Sequence, residues 1–214
     1  MDPIQEMAAR YGYPSEYQSY NTQFQGAKEV IGWTWWDVNN YVTAATNQLN
    51  FFSTVKATRN LSNMKLAGQL PMPSAFFLRA IRVQIYDLPY DEALIAAPAT
   101  QTGQLNDHCR LLENGVGQLY IGDKLYGEWP LWMLPAGGGI VSKMGIVAAS
   151  VLDYNNNGFQ DPRAVYTLTK PLFIAPQINF RFDMIWPAGA EALVSISPKP
   201  IWCGLDGDLI RPVQ

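Results

Sequence analysis

Few residues in this 214-residue chain have the types and spacing that chemistry needs. Asp153-Tyr-Asn-Asn-Asn-Gly158 places side-chain oxygens at the first, third and fifth positions and glycine at the sixth, as in the first half of a calcium loop. Its twelfth position is Ala164, where such loops carry a bidentate glutamate; an ordinary Asn/Gly turn is the favoured reading, with Asp161 as one further oxygen. Asp206-Gly-Asp208 reads as a second turn. The single histidine, His108, lies between Asp107 and Cys109. One histidine makes neither a zinc site nor the multi-histidine site of a metal-dependent cupin, and neighbours in sequence do not make a Cys-His dyad. Ala136-Gly-Gly-Gly139 lacks the Lys-Ser/Thr of a phosphate loop, and no GxSxG occurs. We therefore expect no enzyme, no catalytic residue, no cofactor and no metal. Asn60-Leu-Ser62 is a glycosylation sequon, meaningful only in a secreted chain.

Composition points to assembly. Hydrophobic residues make up 48 % and charged residues 15 %, well below the usual quarter. So little charge suggests surface hidden in a partner. Net charge is −3, which gives no electrostatic case for nucleic acid. The start, MDPIQEMAARYG, is acidic and polar, unlike a signal peptide, and no apolar run is long enough to span a bilayer. Cys109 and Cys203 read as two free, buried thiols in a chain made in the cytoplasm, with a disulfide left open.

The elements that would position these residues are mostly strands. Residues 1–47 differ from the rest. Asp2-Pro3 fits a helix start, and Ile4, Met7, Ala8 and Tyr11 fall on one helical face. Ser15 to Gly26 is polar without periodicity, and then Trp33, Trp35 and Trp36 crowd into four residues. This segment is read as an arm that docks on a neighbouring subunit, tryptophan being enriched at interface hot spots; the competing reading folds it back onto its own domain. Its charge is −3, so it is not a basic, nucleic-acid-gripping arm.

From Gln48 to the end a single β domain is expected. Strands are read at Leu49–Val55, Phe76–Leu88, the hairpin Gly117–Tyr126 about Gly122-Asp123, Val141–Leu152 (a strand in preference to a short helix), Ala164–Lys170, Ile178–Trp186 and Leu193–Ser197, with Met64–Leu70 and Ile201–Cys203 as further candidates for short strands. In Phe76–Leu88, Ile81, Val83 and Ile85 face inward. In Ile178–Trp186, Ile178, Phe180, Phe182, Met184 and Trp186 alternate with Asn179, Arg181, Asp183 and Ile185. Asp87–Asn106 is a long connection, with room for one helical turn at Asp91–Ala97. About eight strands in one domain fit an all-β fold, a single eight-stranded antiparallel jelly roll (a β-sandwich or barrel) with an N-terminal arm.

Three strings carry a family resemblance: MKLAGQLPMPSAFFLRAIRV (Met64–Val83), IGDKLYGEWPLWMLPAGGGI (Ile121–Ile140) and KPLFIAPQINFRFDMIWP (Lys170–Pro187). They resemble jelly-roll capsid proteins of tailless icosahedral bacteriophages, including those with a membrane beneath the shell. The resemblance implies a structural subunit of the virion, packed laterally against copies of itself and other capsid proteins, with terminal arms that link neighbours or touch the internal membrane. A genome behind a lipid layer would leave the coat no need to contact nucleic acid. On this reading the subunit interface takes Ile4, Met7, Tyr11, Trp33, Trp35, Trp36, Trp129 and Trp132. The alternative from a different class is a carbohydrate-binding β-sandwich module, for which the 13 % aromatic content would supply the stacking surfaces.

Overall fold

The computed structural model describes residues 15–24, 27–85, 104–136, 141–147, 150–156, 162–194 and 198–213. Ten strands fall among them. Eight build two four-stranded antiparallel sheets: β1 (Lys28–Tyr41), β2 (Gln48–Phe51), β3 (Ala75–Ile85), β4 (Val116–Ile121), β5 (Lys124–Pro130), β8 (Thr167–Ile174), β9 (Phe180–Ile185) and β10 (Lys199–Pro212). The other two, β6 (Val141–Val147) and β7 (Ser150–Asn156), pair only with each other. The first sheet runs β1-β10-β3-β8 and the second β2-β9-β4-β5. Counted along the chain, the eight sheet strands pair in a nested series. The first pairs with the eighth, the second with the seventh, the third with the sixth and the fourth with the fifth. Ladders between β10 and β3 and between β9 and β4 join these ribbons into sheets.

Period-two alternation decides what faces inward. Ile81, Val83 and Ile85 of β3, Leu119 and Ile121 of β4, and Phe180, Phe182 and Met184 of β9 all enter one core with Trp186, as the pattern predicts. Gly122 carries φ +60° while Asp123 does not turn positive. That is the sign pattern of the type II′ turn expected of Gly-Asp. Ile178, by contrast, is exposed.

Other expectations are corrected. Ser15–Gln23 is a helix, α1, whose Tyr17 and Tyr20 pack with Phe24 on Phe77, Phe173 and Ile210, on the side of the first sheet away from the main core. Tyr20 Oη donates to the Pro73 carbonyl at 2.8 Å. Three aromatic residues at positions 17, 20 and 24 suffice to dock a helix whose other residues are polar. Met64–Leu70 is not a strand; it makes an irregular crossing with one isolated bridge, Leu66 to Gln69. Gln104–Glu113 is a second helix, α2, which begins in the last residues of the expected connection and runs on to Glu113. Val141–Leu152 is not one strand but belongs to the hairpin β6–β7, and β7 takes in Asp153–Asn156 of the supposed calcium loop. Residues 157–161 lie outside the described residues, as do Asp91–Ala97, residues 1–14 and most of the glycine run. Leu193 and Val194 are not in a strand, and residues 195–197 lie outside the described residues.

The last strand is fourteen residues long, not three. Asp206-Gly-Asp208 sits inside it as a β-bulge rather than at a turn. Both carboxylates meet arginines of the neighbouring strand: Asp206 pairs with Arg82 and also accepts from Thr34 Oγ1 at 2.5 Å, and Asp208 pairs with Arg79. Alternating charges matched across a ladder hold this part of the sheet, which is why a turn-like sequence remains extended. At the bulge the backbone of Gly207 approaches Phe77 so closely that a Cβ would lie 1.8 Å from the Phe77 carbonyl oxygen.

Candidate interaction surface

β1 and β10 have fourteen residues each, whereas β2 has four. The second sheet therefore does not reach the far end of the first sheet's inner face. The β2–β3 connection closes only part of the gap and leaves a groove of about 520 Å³. Its floor and one wall are Ile31, Trp33 and Trp35 of β1 with Leu209 of β10; Trp36 joins at the strand edge, and Met64 and Pro71 face them. Trp33 is 40 % exposed, while Trp35 is 5 % exposed and enters the main core. Their rings meet edge-on at 5.8 Å.

The loop opposite is tied to the edge of β1. Asn63 mimics a strand residue: its Oδ1 accepts from the Trp36 N–H at 2.8 Å and its Nδ2 donates to the Thr34 carbonyl at 2.8 Å. Ser62 Oγ donates to the Trp36 carbonyl, and Trp36 Nε1 donates to the Arg59 carbonyl. Beneath this loop Asp37 is fully buried and accepts the Phe52 N–H at 2.7 Å. Burial pushes its carboxyl above the usual range, and the Phe52 N–H and the nearby Lys56 pull it back. These bonds fix the loop and hold Lys56, Arg59 and Lys65 at the groove, with Arg211 contributed by β10. Lys56 bonds Asn39 Oδ1, and Arg211 pairs with Glu29. Arg59 and Lys65 have no ion-pair partner among the described residues. Among the described residues no carboxylate lines the groove, and Trp35 Nε1 is a buried donor without an acceptor.

Of the eight residues expected at a subunit interface, three are thus brought together: Trp33, Trp35 and Trp36. The described part of the expected arm holds α1, packed on the first sheet, and β1, a strand of that sheet. Trp129 is elsewhere, at the end of β5, half-buried against the main core with its ring 6.5 Å from Tyr166. Trp132 follows it in a 3₁₀ turn and is 59 % exposed. Ile4, Met7 and Tyr11 lie outside the described residues. In the sequence Lys56 and Arg59 fall in a polar stretch between expected strands and Lys65 in the candidate strand Met64–Leu70; what marks all three is their position opposite the tryptophans, which needs the fold.

At one end of the sandwich the loops are locked together rather than open. Ala44 N–H donates to the Glu191 carbonyl, Leu193 N–H to Thr43 Oγ1, and Val194 N–H to Asp107 Oδ1 of α2. Trp186 Nε1 donates to the Leu111 carbonyl at 3.1 Å, and the Trp186 ring meets Tyr41 at 4.6 Å. Inside this cap lie Asp107, His108 and Lys199, all buried. Burial, reinforced by Lys199 and opposed by Asp107, pushes His108 down to about 3. It is neutral at any ordinary pH and reads as a packing residue. Cys203 is fully buried and its thiol is pushed up by burial; Cys109 is half-buried, and both are free. No group of three or more His, Cys, Asp or Glu residues able to hold a metal occurs among the described residues.

No protein-family model matches this chain, and no curated protein matches it.

Proposed function

We propose that this chain is a structural subunit of an icosahedral viral shell, built as a single jelly roll and assembled through lateral contacts and its N-terminal segment. The observation that supports this reading most is the nested strand order. Pairing first with eighth through to fourth with fifth, divided between two sheets, is the order that results when one long antiparallel ribbon is rolled up as in capsid jelly rolls. The β6–β7 hairpin is an insertion between the fifth and sixth sheet strands on this reading. The sparse charge and the exposed Trp132 are in keeping with surface covered by other subunits. Its partners are copies of itself, other shell proteins and an internal membrane; its place is the virion.

Light scattering coupled to size-exclusion chromatography tests the reading. Full-length protein should run as a trimer or larger, and a variant lacking residues 1–14 should run smaller. The cut spares α1 and β1, so the β domain keeps both of its cores. A full-length protein that stays monomeric at high concentration refutes the proposal.

A further inference from the structure

We propose that the groove beside β1 binds an anionic saccharide, with a sugar ring stacked on Trp33 and acidic oxygens held by Arg59 and Lys65. Two independent observations meet there. The first is charge: the chain carries −3 overall, yet Lys56, Arg59, Lys65 and Arg211 line this one groove with no carboxylate among them. Arg59 and Lys65 are exposed and unpaired among the described residues, so they are available to an anion. The second is the wall: Trp33 offers an exposed indole, a flat apolar face of the kind that the C–H face of a pyranose covers.

Peptide and nucleic acid fit less well. A peptide adding a strand to β1 would need its edge groups, but the loop already uses the Trp36 N–H and the Thr34 and Trp36 carbonyls. A nucleic acid needs several phosphates neutralised together, which two unpaired cations on a net-negative chain do not provide. The proposal does not depend on the assembly reading; it stands or falls for a monomer as for a shell subunit.

The test uses the full-length protein and calorimetric titration with five probes: a heparin-derived tetrasaccharide (sulfate), tetragalacturonate (carboxylate), maltotetraose (neutral), an octaglutamate peptide and an eight-residue dT oligonucleotide. We expect one or both acidic saccharides to bind at least tenfold more tightly than maltotetraose, and their ratio to tell which acid the groove prefers. Trp33→Ala and the double variant Arg59→Glu/Lys65→Glu should each weaken that binding at least tenfold. Elution volumes should not change in any variant. Absence of binding by both acidic saccharides at millimolar concentration overturns the proposal. So does equal binding of maltotetraose, equal or tighter binding of octaglutamate or dT, or full affinity in the Arg59/Lys65 variant. A change of oligomeric state in Trp33→Ala also overturns it, by making the groove a subunit contact.

Discussion

His108 should make the fold acid-sensitive well above the range where carboxylates titrate. Its side chain is 2 % exposed, and burial with Lys199 beside it lowers its pKa from 6.5 to about 3. The folded chain therefore holds a neutral imidazole while the unfolded chain binds a proton below pH 6.5. The unfolded state takes up more protons in this window, so stability falls as pH falls. At pH 5 the loss relative to pH 8 is about 1.5 decades of proton binding, or about 2 kcal/mol. For a domain of this size that is a drop in melting temperature of roughly 4–8 °C. Asp37 cannot imitate the effect: a carboxyl raised in the folded state gains stability as pH falls, the opposite sign. The assay is scanning calorimetry of the parent and of His108→Gln from pH 8 to pH 5. The parent should lose those degrees and the variant should stay nearly flat. An equal loss in both would refute the account, because the proton would then be taken up elsewhere.

Three further outcomes are expected. Gly207→Ala forces a Cβ against the Phe77 carbonyl and should lower stability by about 3 kcal/mol or more in chemical denaturation, whereas Gly32→Ala, with open space around it, should stay within about 1 kcal/mol of the parent. Trp186→Phe leaves the Leu111 carbonyl without its buried donor and should cost about 1–3 kcal/mol, with α2 amides losing hydrogen-exchange protection first. Asp206→Ala deprives Arg82 of its carboxylate and Thr34 of its acceptor and should cost about 2 kcal/mol, read from the urea midpoint; Asp123→Ala, on an exposed turn, serves as the neutral control.

Strands that alternate cleanly were legible from sequence alone. Phe180 to Met184 and Ile81 to Ile85 needed only their period to be placed, inward faces included. What escaped depends on contacts distant in sequence. Asp206-Gly-Asp208 has the composition of a turn, and only the arginines of β3 keep it extended. α1 has almost no apolar periodicity; its tyrosines become a docking face only because Phe77 and Phe173 point away from the main core. α2 is only ten residues long and starts inside the expected connection, with Leu105, Leu111 and Leu112 set among mostly polar residues. The groove was half visible: the tryptophan cluster stood out, but its cations come from the β2–β3 connection and from β10, far apart in sequence, and their convergence follows from the unequal lengths of β1 and β2.

The nested pairing sets a timetable for folding. Lys28 is partnered by Pro212, and β10 stands between β1 and β3, so the first sheet cannot form until nearly the whole chain has been made. At roughly 5–20 residues per second, β1 waits on the order of 10–35 s after its own synthesis before its partner exists. During that interval Trp33, Trp35 and Trp36 have no sheet to join. A nascent chain with three tryptophans on an unpaired strand is a natural client for a chaperone, and a concentrated pool of such chains is prone to pair with one another first.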